Sequence, residues 1–410
     1  MSDILHPDAS SIRPLPEISR LESLVGDILA EARSQGANAA EAAVSFANAL
    51  GVTVRLGEVE TLEQQRDRSL GVTVYFGQRK GTASTSDWRA DAVRETVAAA
   101  CAIARQTAED PCAGLADAQR LAREVPDLGL YHPWNIEAPE AIELARECEA
   151  VAREYDSRVT NSEGASVDTR TGLTVYSNSH GFLGGYRSSR HSLSCSLIAR
   201  DDRGMQRDHW YTLDRDAERL EAPRSVGEQA ARRTLGRLEA KRLSTRQCPV
   251  LFIPEMARGI VAHFLGAIRG GALYRRSSFL VDSLGRQVFP DFLQMEERPH
   301  IPGALGSAPF DAEGVATEDR ELVQGGVIKS YILDSYSARR LGMATTGNAG
   351  GVHNLIVQPT GQDWETMLRT LDRGLVVTHL MGQGVNLLTG DYSRGAAGFW
   401  VEGGEIQYPV

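Results

Sequence analysis

Short runs in which apolar and polar residues alternate recur along this chain. In "GVTVRL", Val52, Val54 and Leu56 share one face, and "GVTVYF", which begins at Gly71, repeats the pattern. In "HSLSCSLIA", three serines alternate with apolar residues in the same way. A period of two residues is typical of half-buried strands in antiparallel sheets. The sequence therefore predicts two blocks of antiparallel strands in its first half.

Helices and strands come in runs rather than in strict alternation. A helix is predicted at about 18–35, others follow at about 87–104 and 139–152, and a second strand block occupies about 157–214. This order predicts an α+β fold, with antiparallel or mixed sheets and packed helices, rather than a doubly wound sheet.

The basic, polar stretch "EAKRLSTRQ" marks a predicted domain boundary. It divides the chain into a flexible N-terminal arm at 1–17, an N-terminal α+β domain at 18–245 and a C-terminal α+β domain at 246–410. In the last of these, Gly325-Gly326 and Gly403-Gly404 predict two hairpins, because glycine tolerates the positive φ of two-residue turns.

The charge and cysteine content limit the classes of function. The net charge is −10, which argues against a nucleic-acid partner, because phosphate binding needs a basic surface. No apolar run is long enough for a membrane span, and the N-terminus has no signal-peptide pattern. The five scattered cysteines are typical of reduced thiols. These features predict a cytoplasmic protein without a membrane partner.

The segment "VAHFLGAIRGG" predicts a helix that carries His263 and ends at Gly270-Gly271. Zinc needs three or four Cys, His, Asp or Glu ligands, and a helical site places two histidines about one turn apart. None of the nine histidines has such a partner, and none is followed by glutamate. The pattern favours a packing or surface-lining role for His263, although ligands from distant parts of the chain remain an alternative.

Two polar clusters lie in glycine-rich segments. His353 and Asn354 close "GNAGGVHN", and Asp391 to Arg394 lie in "GDYSRGAAGFW". Such groups either line a cleft or satisfy the backbone of tight turns.

Several long motifs carry a family resemblance over almost the whole chain. They are "EDPCAGLAD", "YSNSHGFLGGY", "LYRRSSFLVDSLGRQ", "SYSARRLGMATTGNAGGVHN" and "MGQGVNLLTGDYSRGAAGFWVEGGEIQYPV". On these motifs the chain resembles the TldD/PmbA family of metalloproteases, whose members are also called modulators of DNA gyrase. Within that family it is similar to the PmbA-type, or TldE-type, subunit.

The resemblance implies a cytoplasmic, two-subunit zinc protease that degrades unfolded peptides and trims leader peptides. In that family the TldD-type subunit binds the zinc with H-E-x-x-x-H on a helix. The PmbA-type subunit lacks this motif and completes an enclosed chamber. The expected partner is therefore a TldD-type subunit in a heterodimer, with zinc in that partner and no cofactor in this chain.

The metal motif can be aligned on the shared Arg275-Arg276. Its two histidines then fall on Ala262 and Ala267, and its glutamate falls on His263. The resemblance therefore implies that this chain has no catalytic residue and no metal ligand, and it leaves open whether the chain is an enzyme. The candidate chamber or interface residues are His263, Arg275, Arg276, Asn348, His353, Asn354, Asp391 and Arg394.

Three interpretations remain open at this point. The chain is a non-catalytic, chamber-forming subunit, a stand-alone peptide-binding or regulatory protein, or a metalloprotease with distant ligands. Family members usually continue for a few dozen residues past the segment that matches "GEIQYPV". The resemblance therefore implies that the family's tail is missing after residue 410, because either the gene product is shortened or the sequence is incomplete.

Overall fold

A computed structural model describes residues 14–410 of the chain. The elements of the N-terminal part, in chain order, are α1 (Ile18–Ser34), β1 (Ala39–Arg55), β2 (Glu58–Phe76), β3 (Arg79–Thr85), α2 (Ala90–Gln106), α3 (Ala138–Glu154), β4 (Val159–Asn178), β5 (Leu183–Asp201), β6 (Gly204–Asp214) and α4 (Pro223–Leu235). The six strands form one antiparallel sheet in the order β3-β2-β1-β4-β5-β6.

The predicted alternation is confirmed in β1, where Val52 and Val54 are buried. Leu56 does not continue it, because β1 ends at Arg55 and Leu56 lies in the following turn with a φ of 53°. Its side chain is exposed. The period of two identifies the strand but does not show where the strand ends.

The four helices cover one face of this sheet. Val44 of β1 packs in the core under α1 and α2, and Val52 packs in the core under α3 and α4. These residues are an even number of positions apart, so they project from the same face. At Gly81 of β3, a Cβ atom would lie 2.1 Å from the carbonyl oxygen of Ala100 in α2. Glycine is therefore required where α2 crosses the sheet.

The opposite face of the sheet carries hydroxyl-bearing, small and charged side chains. Thr53 of β1 and Ser166 of β4 share a hydrogen bond of 2.9 Å there, and Ser194 of β5 pairs with Ser166 across the strands. At one end of this face, Tyr176 and Tyr186 lie in the aromatic cluster of Phe310, from the C-terminal part. The face is thus polar over most of its length and covered near one end.

The C-terminal part consists of shorter elements. They are β7 (Val250–Phe252), α5 (Pro254–Ala267), α6 (Gly270–Tyr274), β8 (Met295–Glu297), β9 (Arg320–Gln324), β10 (Val327–Ile328), α7 (Ser335–Arg340), β11 (Leu355–Val357), α8 (Trp364–Leu371), β12 (Gly374–Met381), β13 (Val385–Asn386), β14 (Asp391–Tyr392), β15 (Gly395–Glu402) and β16 (Glu405–Pro409).

These strands form two four-stranded sheets, β10-β9-β8-β11 and β16-β15-β12-β7, and the small hairpin β13-β14. The pairing of β12 with β7 is parallel, so the second sheet is mixed. Both predicted hairpins are confirmed. Gly325 and Gly326 join β9 to β10, Gly403 and Gly404 join β15 to β16, and all four have positive φ. The α+β fold class is confirmed as well.

Hydrogen bonds tie the two parts together. Arg339 of α7 donates to the carbonyl oxygens of Cys112 and Gly114, at 3.2 and 3.0 Å. Of the predicted arm at 1–17, residues 1–13 lie outside the described residues, and Leu15 is buried in the core under α1 and α2. None of the helices within 14–410 has the length and hydropathy needed to cross a bilayer.

Candidate functional site

Helix α5 carries the aligned metal positions. It begins with Pro254, whose fixed φ suits the first helical position, and it ends at Ala267. The backbone N–H of Gly270 then donates to the carbonyl oxygen of Ile332, at 2.8 Å. A Cβ atom at Gly270 would lie 2.2 Å from Oγ of Ser337. Glycine is therefore required at position 270, because the start of α6 packs too closely against α7 for any side chain there.

His263 lies half-buried in the middle of α5. Its ring packs edge-on against Tyr392 of β14, with the ring centroids 6.0 Å apart at an angle of 67°. Ala262 beside it is exposed, whereas Ala267 is fully buried. The three aligned positions thus occupy three different environments.

The residues on α5 do not fit a zinc ion. His263 is the one donor among the three aligned positions, since an alanine methyl group has no electron pair to give. Within residues 14–410, no group of three or more His, Cys, Asp or Glu side chains could hold a metal ion. This helix therefore supplies no metal-bound water, and the metal content of the chain remains a prediction.

A cavity of about 360 Å³ lies beside His263. Its wall comes from α5, from the segment between α6 and β8, and from the β13–β14 hairpin. The apolar lining includes Ile260, Phe264, Phe279, Val288, Leu387 and Tyr392. Asn386 also lines the cavity, and its Oδ1 accepts a hydrogen bond from the backbone N–H of Leu388, at 3.0 Å. An apolar cavity with a few polar groups is the usual form of a binding pocket.

Two predicted residues, Asn348 and His353, meet at a buried carboxylate. Glu297 of β8 is only 2% exposed, and Nδ2 of Asn348 donates to both of its oxygens, at 2.8 and 3.0 Å. His353 donates its backbone N–H to Oε1 at 2.6 Å, and its Nδ1 lies 3.1 Å from the same oxygen. These contacts hold the loop "GNAGGVHN" against β8.

Two further carboxyl groups lie in the same region with raised pKa values. Burial raises the pKa of Asp311, although the backbone N–H groups of Ala349, Glu313 and Val315 donate to it. Burial also raises the pKa of Glu313 to about 7, with a smaller contribution from the charge of Asp311. The backbone N–H of Ser335 donates to Glu313 at 3.0 Å.

The remaining candidates are not brought together. Asn354 donates to the carbonyl oxygen of Arg298 and to Oγ of Ser307, at 2.8 and 2.6 Å. Asp391 accepts from Oγ1 of Thr389 at 2.6 Å, within its own turn.

The three predicted arginines have local contacts as well. Arg275 donates to Oη of Tyr274 at 3.0 Å, and Arg276 lies 3.9 Å from Asp282. Arg394 donates to the carbonyl oxygen of Met381 at 3.1 Å.

Sequence reasoning missed Glu297, Asn386 and Phe279. Glu297 stands beside Glu296 in "QMEERPH", and no residue pattern separates the two. The strand register separates them, because it buries Glu297 and leaves Glu296 half-buried. Phe279 is 49% exposed, and an exposed aromatic residue next to an apolar cavity is visible only in the folded chain.

The fold, together with a helix that lacks two of the three aligned donors, defines a chain related to metallopeptidases. Family models of the PmbA/TldA metallopeptidase match domain 1 at 40–104, the central domain at 131–238 and the C-terminal domain at 245–410. This chain belongs to the PmbA/TldD family. The first two matches both fall on the six-stranded sheet.

Relatives and solved structures agree with this assignment. Metalloprotease PmbA of Escherichia coli O157:H7 is 51% identical over 382 residues, which cover 93% of this chain and 84% of that protein. A TldD homolog of Haemophilus influenzae is 23% identical over 147 residues, 33% of this chain and 30% of that protein.

A crystal structure of a candidate modulator of DNA gyrase from Bacteroides thetaiotaomicron has a TM-score of 0.90 at 26% identity, and covers 95% of this chain and 89% of that one. TldE from Thermococcus kodakarensis has a TM-score of 0.79 at 19% identity, with 94% and 89% covered, so that likeness shows the fold alone.

Proposed function

We propose that this chain is the PmbA-type, non-catalytic subunit of a cytoplasmic peptidase whose TldD-type subunit holds the zinc. The observation that carries the proposal is the donor set of α5, where Ala262 and Ala267 replace two ligands and His263 replaces a carboxylate. Without two ligands the helix cannot hold zinc, and a metal-bound water is the nucleophile of such peptidases.

The surface around α5 supports a partner subunit. Met381 and Leu388 are 50% and 57% exposed, and they lie at the end of β12 and in the β13–β14 hairpin. Large apolar side chains that are exposed together mark sites of protein association. The TldD-type subunit would bury them and close a chamber around its own zinc site.

Unfolded peptides, including leader peptides, are the substrates that this proposal assigns to the complex. An extended peptide can add to a sheet edge, because backbone hydrogen bonds do not depend on sequence. Strand β2 offers a candidate edge, since it runs from Glu58 to Phe76 while its pairing with β3 covers Leu70–Phe76. Folded proteins would not enter the chamber, because the two subunits enclose it.

A second candidate is a stand-alone peptide-binding protein. It is favoured by the apolar cavity beside His263, which has the form of a binding pocket. A protein of this kind would bind peptides without a partner and would leave them intact.

Mixing experiments separate the two candidates. Size-exclusion chromatography of this chain with a TldD-type subunit should give a heterodimer, and the mixture should cleave an unfolded peptide that neither chain cleaves alone. Full activity of the TldD-type subunit alone, unchanged on addition of this chain, would refute the proposal. If this chain binds peptide but forms no complex with the TldD-type subunit, the second candidate is favoured.

A further inference from the structure

The cavity beside His263 has the volume of a small ligand pocket. Binding pockets for small molecules range from about 300 to 1,000 Å³, and this one, at about 360 Å³, is at the lower end. We propose that it binds one large apolar side chain, aromatic or branched aliphatic, of an extended peptide. The proposal rests on the proposed function, because that function makes unfolded peptides the substrates.

The walls of the cavity are fixed by packing. Phe264 of α5 is buried, and its ring packs edge-on against Phe289 with the centroids 4.9 Å apart. On the other side, Gly390 has a φ of 82°, and a Cβ atom there would lie 3.1 Å from the ring of Phe279. The β13–β14 hairpin can therefore lie directly against Phe279. A pocket built in this way exists before any ligand arrives, which lowers the entropic cost of binding.

Two polar groups in the wall are free to bind a peptide backbone. Nδ2 of Asn386 has no hydrogen-bond partner within residues 14–410, and neither does the imidazole of His263 in that part of the chain. Amide and imidazole N–H groups bind a carbonyl oxygen. A peptide that inserts one apolar side chain places its backbone carbonyls at the mouth of the pocket.

This combination indicates a peptide rather than the face of a partner subunit. A subunit interface is broad, and its apolar residues meet other apolar residues. A bounded apolar cavity, with two N–H-bearing groups that lack a partner within residues 14–410, instead matches an apolar side chain and the backbone next to it. Rim residues Phe279 and Tyr392, both more than 40% exposed, leave that residue a path of entry.

The test measures peptide binding to the purified chain by fluorescence anisotropy. The probe is an unstructured peptide of Gly, Ser and Thr with one central Phe, and its control replaces that Phe by Ser. Burying one such side chain predicts that the control binds about tenfold to a hundredfold more weakly. Ile260→Trp, which fills the cavity, should weaken binding of the Phe peptide to the same extent.

Two further variants complete the test, and the first of them is the control. Leu183→Trp, at an exposed leucine in the N-terminal sheet, should leave the affinity unchanged. Asn386→Ala should weaken binding of both peptides a few-fold, because it removes a backbone contact that both share. If Ile260→Trp lowers the melting temperature, the Phe and Ser peptides and Asn386→Ala still decide the question.

Equal affinity for the two peptides would overturn the inference. So would an Ile260→Trp variant that binds peptide normally but no longer associates with a TldD-type subunit, because the cavity would then belong to the subunit interface. Cleavage assays keep the two proposals apart. If the mixed complex is active but cleaves the Phe and Ser peptides equally well, and the chain binds both equally, the pocket proposal alone is refuted. If the chain binds the Phe peptide selectively but forms no active complex, the proposed function alone is refuted.

Discussion

Asn348 donates two hydrogen bonds from one amide nitrogen to the two carboxylate oxygens of Glu297, at 2.8 and 3.0 Å. Both side chains are 2% exposed. A buried carboxylate is unfavourable unless hydrogen bonds replace its water. The pair therefore fastens the glycine-rich loop before β11 to strand β8.

Replacing Asn348 by Leu should lower the free energy of unfolding by about 2 to 4 kcal/mol, since it leaves Glu297 with fewer donors in a buried place. Urea unfolding monitored by circular dichroism measures the change. Glu321→Gln, at an exposed position on β9, is the matched control and should stay within about 0.5 kcal/mol. An unchanged midpoint for Asn348→Leu would contradict the prediction.

Glu313 should make stability depend on pH. Burial raises its pKa to about 7, so between about pH 4.5 and 7 the folded chain holds a proton that the unfolded chain has lost. Stability from this group is therefore greatest at low pH, falls as the pH rises to 7, and stays low above it. Glu313→Gln removes this pH dependence. The difference in free energy of unfolding between Glu313→Gln and the unchanged protein should therefore shift by about 2 kcal/mol in favour of the variant from pH 5 to pH 8.

Urea unfolding at several pH values tests the prediction for Glu313. Glu318→Gln, at an exposed position nearby, should show no such gain. If the two proteins differ by the same free energy of unfolding at pH 5 and at pH 8, the Glu313 carboxyl is not the source of the pH dependence.

The purified chain should contain far less than one zinc ion per molecule. The reason is that the three aligned positions on α5 offer one donor, His263, where zinc needs three or four. Elemental analysis gives the content, and a chelator should leave the melting temperature unchanged. One tightly held zinc that disappears in His263→Ala would contradict this and would support ligands from distant parts of the chain.

Two glycines of the N-terminal sheet should respond in opposite ways to alanine. At Gly81 a Cβ atom meets the backbone of α2 at 2.1 Å, whereas at Gly71 it meets nothing within 4 Å. Gly81→Ala should therefore destabilise the protein by about 3 kcal/mol, and Gly71→Ala should be neutral or stabilise by about 0.5 kcal/mol. Thermal unfolding of the two variants decides the matter, and similar melting temperatures would refute the packing argument.

Ala262→Arg should weaken the peptidase activity of the mixed complex about tenfold or more, because it places a long cation on the exposed side of α5. Ala98→Arg, at an exposed position on α2, is the control. The readout is the cleavage rate of an unfolded peptide, with the melting temperature of each variant as a check on folding. Equal rates for the two variants would argue against a partner or chamber at α5.

Much of the fold follows from local patterns. The burial of Val52 and Val54 and the turns at Gly325-Gly326 and Gly403-Gly404 were predictable, because period and turn chemistry act over a few residues. Leu56 fits the same period and yet lies in a turn. The end of a strand depends on which partner strand it meets, and a single strand's pattern does not contain that information.

The site was predictable only where a motif recorded it. Ala262, His263 and Ala267 could be located from the family resemblance. The contact of His263 with Tyr392 joins α5 to the β13–β14 hairpin, far along the sequence, and the same hairpin places Asn386 in the cavity wall. Contacts between segments so far apart in sequence arise from tertiary packing, which no short motif specifies.

The six-stranded sheet has helices on one face and mostly polar side chains on the other. Alternate residues of the paired core strands therefore differ in role. In β1, Val44 and Val52 pack under the helices, whereas Thr53 lies on the opposite face, where it hydrogen-bonds Ser166. Related proteins can thus acquire new surface chemistry on this face through single substitutions, while the residues that determine folding stay as they are.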